Sequence, residues 1–479
     1  MRIGHLLRRT MMMPTWADMV TISKMDPSSA VDMLLTPLTT QPTAPAAAND
    51  GTSDYSGLDT VLIAQLQSQW TSDAQALRNW WINLMVAEST SIVEKMTMFW
   101  SGHFTSQFLS GEDYDQAPLL YRQNSLFRSN VLGNFHDLTF NVTLDPAMLV
   151  YLGGNLNTAS HANENYAREL MELFTTGLDQ YSQTDVEQSA RILTGWRVGE
   201  FTNEFAPNGL FNTYFSPPDH DTGSKTFMGV TFPAIDASLN TQDLVKKNEI
   251  QLLIDTIFSA REQAVATFIC TKIYQFFVYS NPSATDMTVV SAMATLLING
   301  NWEIKPVMAA LLKSAHFFDN LNIGAQIKTP AEFTIGMARQ FNVTYGVDAS
   351  MNSIGQQLQD PPNVSGWPGW RDWINTSTYP TRSVESAAVL QAMTDAEVVA
   401  LVTQFPSYTD PQQVVNNLAA LLLPRPLSSA RSADFLSKLL NGSMSYEWQG
   451  IITSNSAEAA NNIRSVLSTI IELPDFQLC

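Results

Sequence analysis

Cysteine, charge and long apolar runs are all scarce in this chain. Its 479 residues include two cysteines, Cys270 and Cys479, so neither a disulfide framework nor a cysteine-based zinc site can be assembled. Cys270 lies in the apolar run Thr267-Phe268-Ile269-Cys270, where a buried thiol is expected. Cys479 is expected to be mobile. Charged residues make up 15% of the chain, and 26 Lys and Arg face 45 Asp and Glu, for a formal charge of −19. Such a chain repels phosphate backbones. No basic stripe offsets the repulsion, which argues against nucleic acid and against anionic membrane surfaces. No window approaches the roughly 18 consecutive apolar residues of a membrane span. In MRIGHLLRRTMMMPTW no apolar stretch of about seven residues follows the arginines. No secretory signal is visible, and the cytoplasm is the default location unless a leader is missing. P-loop, GxSxG, HExxH and GxGxxG signatures are absent, so no motif implies a cofactor, and the metal question stays open.

What the chain does have is core material: 45% hydrophobic and 10% aromatic residues. Leu58, Leu62 and Leu66 recur every fourth residue, and Leu77, Trp81 and Leu84 extend the spacing into a long helix over 58–88. Further helices are expected at about 90–100, 122–133, 144–152, 162–177, 183–197, 247–279, 284–299, 304–315, 329–343, 383–403, 411–423, 428–440 and 456–472. Between 198 and 240 the helical signal stops. Phe201, Phe205, Phe211, Tyr214 and Phe215 alternate there with Gly, Asn and Pro, and a β-hairpin over 213–232 should turn at Asp221-Thr222-Gly223. The fold expected is mainly α, a multi-helix bundle or superhelical array with one small β-hairpin insertion near 200–235. Three parts are expected. Residues 1–57 are short helices and a Pro/Thr/Ala-rich linker. Residues 58–345 form the main helical unit with the insertion at about 198–240. Residues 346–479 hold a Trp/Pro-rich loop and C-terminal helices packed on it.

The densest polar cluster is Asn163-Glu164-Asn165-Tyr166-Ala167-Arg168-Glu169-Leu170-Met171-Glu172-Leu173. At 100° per residue, Glu164, Asn165, Arg168, Glu169 and Glu172 share one arc, and Tyr166, Leu170, Leu173 and Phe174 the other. The simplest reading is an amphipathic surface helix with an i,i+4 Glu164–Arg168 pair. A second is a satisfied ionic network pinning helix to helix. The functional reading is a carboxylate set for acid–base work or for a hard cation.

Histidines number six. His103 sits among aromatics in Phe99-Trp100-Ser101-Gly102-His103-Phe104, a setting more typical of a structural histidine than of a ligand. His220, Asp221 and Lys225 share one turn, which reads either as an ordinary polar hairpin or as a reactive cluster. Trp367, Trp370 and Trp373 recur every third residue in a Pro/Gly-rich loop. They either plug the core or stack on sugars or a partner.

Several of these blocks, in this order, resemble those of the bacterial domain-of-unknown-function family 1800. They are Phe99-Trp100-x-x-His103-Phe104, Asn163 to Leu173, Asp185-Val186 with Leu193-Thr194-Gly195-Trp196, and His220-Asp221-x-Gly223-x-Lys225. The resemblance runs from His5-Leu6-Leu7-x-Arg9 through Ala264 to Val278 and Lys328-Thr329-Pro330-x-Glu332-Phe333. It reaches Pro361-Pro362-Asn363-Val364-x-Gly366-Trp367-Pro368-Gly369. It implies no established activity. It does imply a possible partner, a protein of family 1501, which is often encoded alongside and resembles the sulfatase and alkaline-phosphatase superfamily. Relatives commonly carry histidine where this chain has Ser101 and Phe174, and that argues against a histidine-rich metal site here.

Two functional expectations follow. The first is a hydrolytic or group-transferring enzyme, with Glu169, Glu172, His103, His220 and Asp221 as the catalytic set. Asn163, Glu164, Asn165, Arg168, Lys225, Trp196, Asn363 and Trp367 would then bind the substrate. The second is a non-catalytic cell-envelope binding or scaffold protein that takes a glycan or an anionic small molecule, or acts with the family 1501 product.

Overall fold

The computed structural model describes residues 2–37, 40–48, 60–108, 116–199 and 212–479. Helices dominate, and their starts follow side-chain chemistry. Ser182 with Asp185, Ser283 with Asp286, Thr329 with Glu332 and Thr394 with Glu397 form capping boxes at the helices that begin at Gln183, Ala284, Pro330 and Asp395. Each box satisfies backbone N–H groups that the first helical turn leaves open.

Apolar side chains gather in two large clusters and a smaller third. One runs from Leu6 to Phe317 and another from Phe333 to Phe476. The third unites Met12, Trp81, Met98, Ile335 and Met351. Helix Pro330–Phe341 is buried along its whole length. It supplies Phe333, Met337 and Phe341 to the second cluster and Ala331, Ile335 and Ala338 to the third, so one helix serves both sides.

The two ends of the described chain meet the middle. Helix Arg2–Thr10 is buried from Gly4 onward, and Arg8 donates to the Leu421 carbonyl at 3.1 Å while Arg9 donates to that of Asn322 at 2.9 Å. Contrary to the expected mobility, Cys479 is only 2% exposed. Its amide donates to the Gln326 carbonyl at 2.9 Å and that of Lys328 to Gln477 at 2.8 Å, with an antiparallel bridge between Ile327 and Leu478.

The mainly-α expectation holds, but the β region differs in detail. Two short antiparallel ladders replace one hairpin: β1 (Trp196–Val198) with β2 (Thr213–Phe215), and β3 (Lys225–Phe227) with β4 (Val230–Phe232). The tight turn lies at Met228-Gly229, whose φ values of 47° and 83° are those of a type I′ turn. Asp221-Thr222-Gly223 is instead held from outside the ladders, since Asp221 pairs with Arg191 at 2.7 Å. The helix from Gln183 stops at Ile192, ahead of Gly195 at φ +87, and Trp196 enters a strand. A Cβ on Gly195 would lie 2.9 Å from that of His220. Expected helices over 247–279 and 383–403 are broken, at Arg261 and near Thr394. Helices Phe135–Thr143, Val347–Ser353 and Trp448–Ser454 were not anticipated. Leu58, the Leu62 side chain, Phe201, Phe205 and Phe211 lie outside what is described.

Among the described residues no single helix is long and apolar enough to cross a membrane.

Candidate functional site

A cleft of about 350 Å³ opens where four segments meet. Helix Val93–His103 contributes Phe99, Gly102 and His103, and helix Glu262–Phe277 contributes Lys272, Gln275 and Phe276. The segment 326–329 and the first turn of Pro330–Phe341 bring Thr329 and Glu332. The loop after Pro362 closes it with Trp367, Trp370 and Trp373. Asn363, exposed, shapes this loop by accepting from the Ser365 amide at 2.9 Å. Gly366, at φ +83, lies so close to helix Val93–His103 that a Cβ would meet the Gly102 carbonyl at 2.9 Å. Trp370 is in left-handed backbone at φ 50, an outlier for a bulky residue of the kind that clusters at binding sites. Trp373 is buried, whereas Trp367 and Trp370 are half-buried on the cleft. A neighbouring cavity of about 390 Å³ shares Trp367, Pro368 and Trp373 as its wall and adds Asp360 and Asp372.

Two polar groups of the cleft rest on an unusual stretch of helix. After helix Glu164–Glu169 the chain continues as a π turn over Leu170–Thr175. Its i→i+5 bonding changes the carbonyl partners, a feature common at functional sites. His103 Nε2 donates to the Phe174 carbonyl at 3.0 Å, and Lys272 Nζ to that of Leu173 at 3.1 Å. Because a carbonyl only accepts, Nε2 carries the His103 proton and Nδ1 keeps a lone pair. Nδ1 is buried and has no partner among the described residues. Burial, assisted by the Lys272 charge, holds the imidazole neutral, well below its ordinary pKa. Lys272 lies over the Phe268 ring at 4.7 Å. Burial pulls its ammonium down to about 8, with no carboxylate among the described residues offsetting the effect. The cleft's own carboxylate, Glu332, is already committed. It pairs with buried Lys95 and accepts from the Thr329 amide at 2.7 Å.

The residues singled out from sequence fall into three places. His103 and Trp367 line the cleft. Glu164, Arg168, Glu169 and Glu172 lie on or beside the helix before and within the π turn. Glu164 and Arg168 pair at 3.2 Å with side chains 40% and 39% exposed, so this is a surface pair and not a buried network. Gln183 bonds both. Glu169 is half-buried, and burial with the Glu172 charge pushes its carboxyl up. Glu172 accepts from the Tyr181 hydroxyl at 2.6 Å. Asn163 caps the helix by accepting from the Asn165 amide at 2.9 Å and donates to Gly153, while Asn165 donates to Leu152.

The third place lies past the far end of helix Gln183–Ile192. Gln183 touches the Glu164 face, while Thr194 accepts at its carbonyl from His220 Nδ1 at 2.9 Å. At 1.5 Å per residue those ends are roughly 16 Å apart. His220 Nε2 lies 3.2 Å from Glu249, which also pairs with Lys225 at 2.7 Å, and all three are buried. Lys225 reaches the Asp221 carbonyl as well. Trp196 is buried against Phe215. This group ties the β ladders to the helices, and no described cavity opens on it.

Sequence reasoning did not single out Lys272, Gln275, Gln356 or Glu332. A lone cation inside the apolar run AVATFICTKIYQFFV was the available signal for Lys272. Among the described residues, no group of three or more His, Cys, Asp and Glu side chains gathers as a metal site would require.

No curated protein and no solved structure gave a significant match. A family model, described as a protein of unknown function, matches residues 5–478. The chain therefore belongs to the family DUF1800 over nearly its whole length.

Proposed function

We propose that the protein binds a carbohydrate in the tryptophan-walled cleft. The observation that carries this reading is the pair of half-buried rings, Trp367 and Trp370, on a cleft whose remaining lining is uncharged apart from Lys272 and the paired Glu332. A sugar ring offers an apolar face to an aromatic ring and hydroxyls around its edge. Gln356 spends its oxygen on the Ala331 amide at 2.9 Å, and its NH2 remains to donate. Titration calorimetry against a panel of soluble oligosaccharides tests the reading. Trp367→Ala should weaken the best ligand at least about tenfold, equal to 1.4 kcal/mol. Failure of the intact protein to bind any saccharide would overturn it.

A hydrolytic reading has one observation in its favour. Glu169, its carboxyl pushed up by burial and by Glu172, lies three residues from that second carboxylate. A carboxyl with a raised pKa beside a second carboxylate is the kind of pairing acid–base catalysis uses. Product release from a bound oligosaccharide, abolished by Glu169→Gln with binding retained, would establish it. Equal turnover in the variant would sink it.

A further inference from the structure

We infer that the saccharide bound in this cleft is acidic and carries one negative charge, held by Lys272. The inference rests on the carbohydrate reading and adds the ligand's charge to it. Charge accounting leads there. Two ionic groups of opposite sign line the cleft, Lys272 and Glu332. Glu332 is neutralised by Lys95 from behind and is further held as the capping residue of its helix. His103 contributes no charge. The acids Asp360 and Asp372 line the neighbouring cavity and not this one. Among the described residues one uncompensated positive charge remains.

Its surroundings make that charge expensive to leave alone. The ammonium has three donors, of which one goes to the Leu173 carbonyl, while the Phe268 ring covers another side. Neither partner carries a formal charge. Lys272 is half-buried, burial lowers the ammonium to about 8, and among the described residues no carboxylate pairs with it. A carboxylate or sulfate ester on the ligand would supply that counter-ion through a charge-assisted bond. A phosphate monoester would bring nearly a second negative charge with no second cation to meet it. The surface as a whole is acidic, at −19, so a cleft that selects an anion does so through this one group.

An array that carries each saccharide in neutral, uronate, sulfate and phosphate forms, probed with the full chain, tests the inference. The uronate or sulfate form of the best ligand should bind at least tenfold tighter than its neutral form, and the phosphate form should not exceed them. Lys272→Met should bring the charged and neutral forms within about twofold of each other while neutral binding survives. Lys272→Arg should restore part of the preference. Thermal unfolding of each variant confirms that the fold is kept. Binding confined to neutral saccharides, or a preference unchanged in Lys272→Met, overturns the inference and leaves the carbohydrate reading standing. Tightest binding to the phosphate form overturns the single-charge assignment. No binding to any form removes the carbohydrate reading itself, and the inference with it.

Discussion

His103 Nε2 donates its proton to the carbonyl of Phe174 at 3.0 Å, across 71 residues of chain. This bond fixes the imidazole tautomer and ties the cleft to the π turn. The ring should stay neutral, with the proton on Nε2, from pH 5.5 to 8; long-range ¹H–¹⁵N correlation spectra of His103 read this directly. A titration within that range would contradict it. His103→Phe keeps an aromatic ring but leaves the Phe174 carbonyl unpaired, at a cost of about 1–3 kcal/mol in urea unfolding.

Lys272 should make stability depend on pH in the alkaline range. Its ammonium is lowered to about 8 in the folded chain, against roughly 10.4 when unfolded. Below about 8 both states hold the proton. Between the two values the unfolded chain keeps a proton that the folded chain has lost, so stability rises with pH, by at most about 1.4 kcal/mol per unit. Unfolding of wild type and Lys272→Met from pH 7 to 10.5 isolates the contribution: the variant should lack this rise. Parallel curves would refute it.

The buried pair Lys95–Glu332 holds the back of the cleft. Removing one partner strands the other charge away from water. Lys95→Met should cost about 3–5 kcal/mol, and the double variant Lys95→Met with Glu332→Gln should recover part of that loss. Additive losses would mean that the two side chains are not coupled.

Gly366→Ala should disturb the tryptophan loop. The added methyl must meet the Gly102 carbonyl, 2.9 Å from the Cβ position, and the backbone there is at φ +83. A loss of about 1–3 kcal/mol is expected, with a red-shifted tryptophan emission as the rings around the cleft gain water. An unchanged spectrum and midpoint would show that the loop tolerates the shift.

Much of the helical frame is legible in sequence because its signals are local. Helices Ala284–Asn299, Pro411–Leu422 and Ser429–Leu440 lie within a residue of the spans that periodicity gives. The break at Thr394 was also written locally, as a Thr-x-x-Glu box, but the apolar spacing on either side hides it. The π turn is a different matter. A wheel at 100° per residue assumes one helical repeat from Asn163 onward, whereas the repeat changes at Leu170, so the wheel misplaces Glu172 relative to Glu164. Two glycine-bearing turns competed for the hairpin. Met228-Gly229 forms the turn, while Arg191, distant in sequence, pairs with Asp221 outside the ladders. His103 and Trp367, both singled out in the sequence, line the cleft. Lys272 was not singled out, because what distinguishes it is a missing counter-ion, and only the tertiary neighbours reveal that.

The pairing of 326–328 with 477–479 has a consequence for the order in which the molecule is made. Gln326, Ile327 and Thr329 form a wall of the cleft, yet that wall is fastened to residues synthesised long after it. Local helices can form as the chain emerges, whereas this closure must wait for a long intervening loop to be ordered. A nascent chain stopped short of Gln477 would hold its tryptophans around an unfinished wall. The aromatic surface around the cleft would be open to chaperones, or to other chains in the same state.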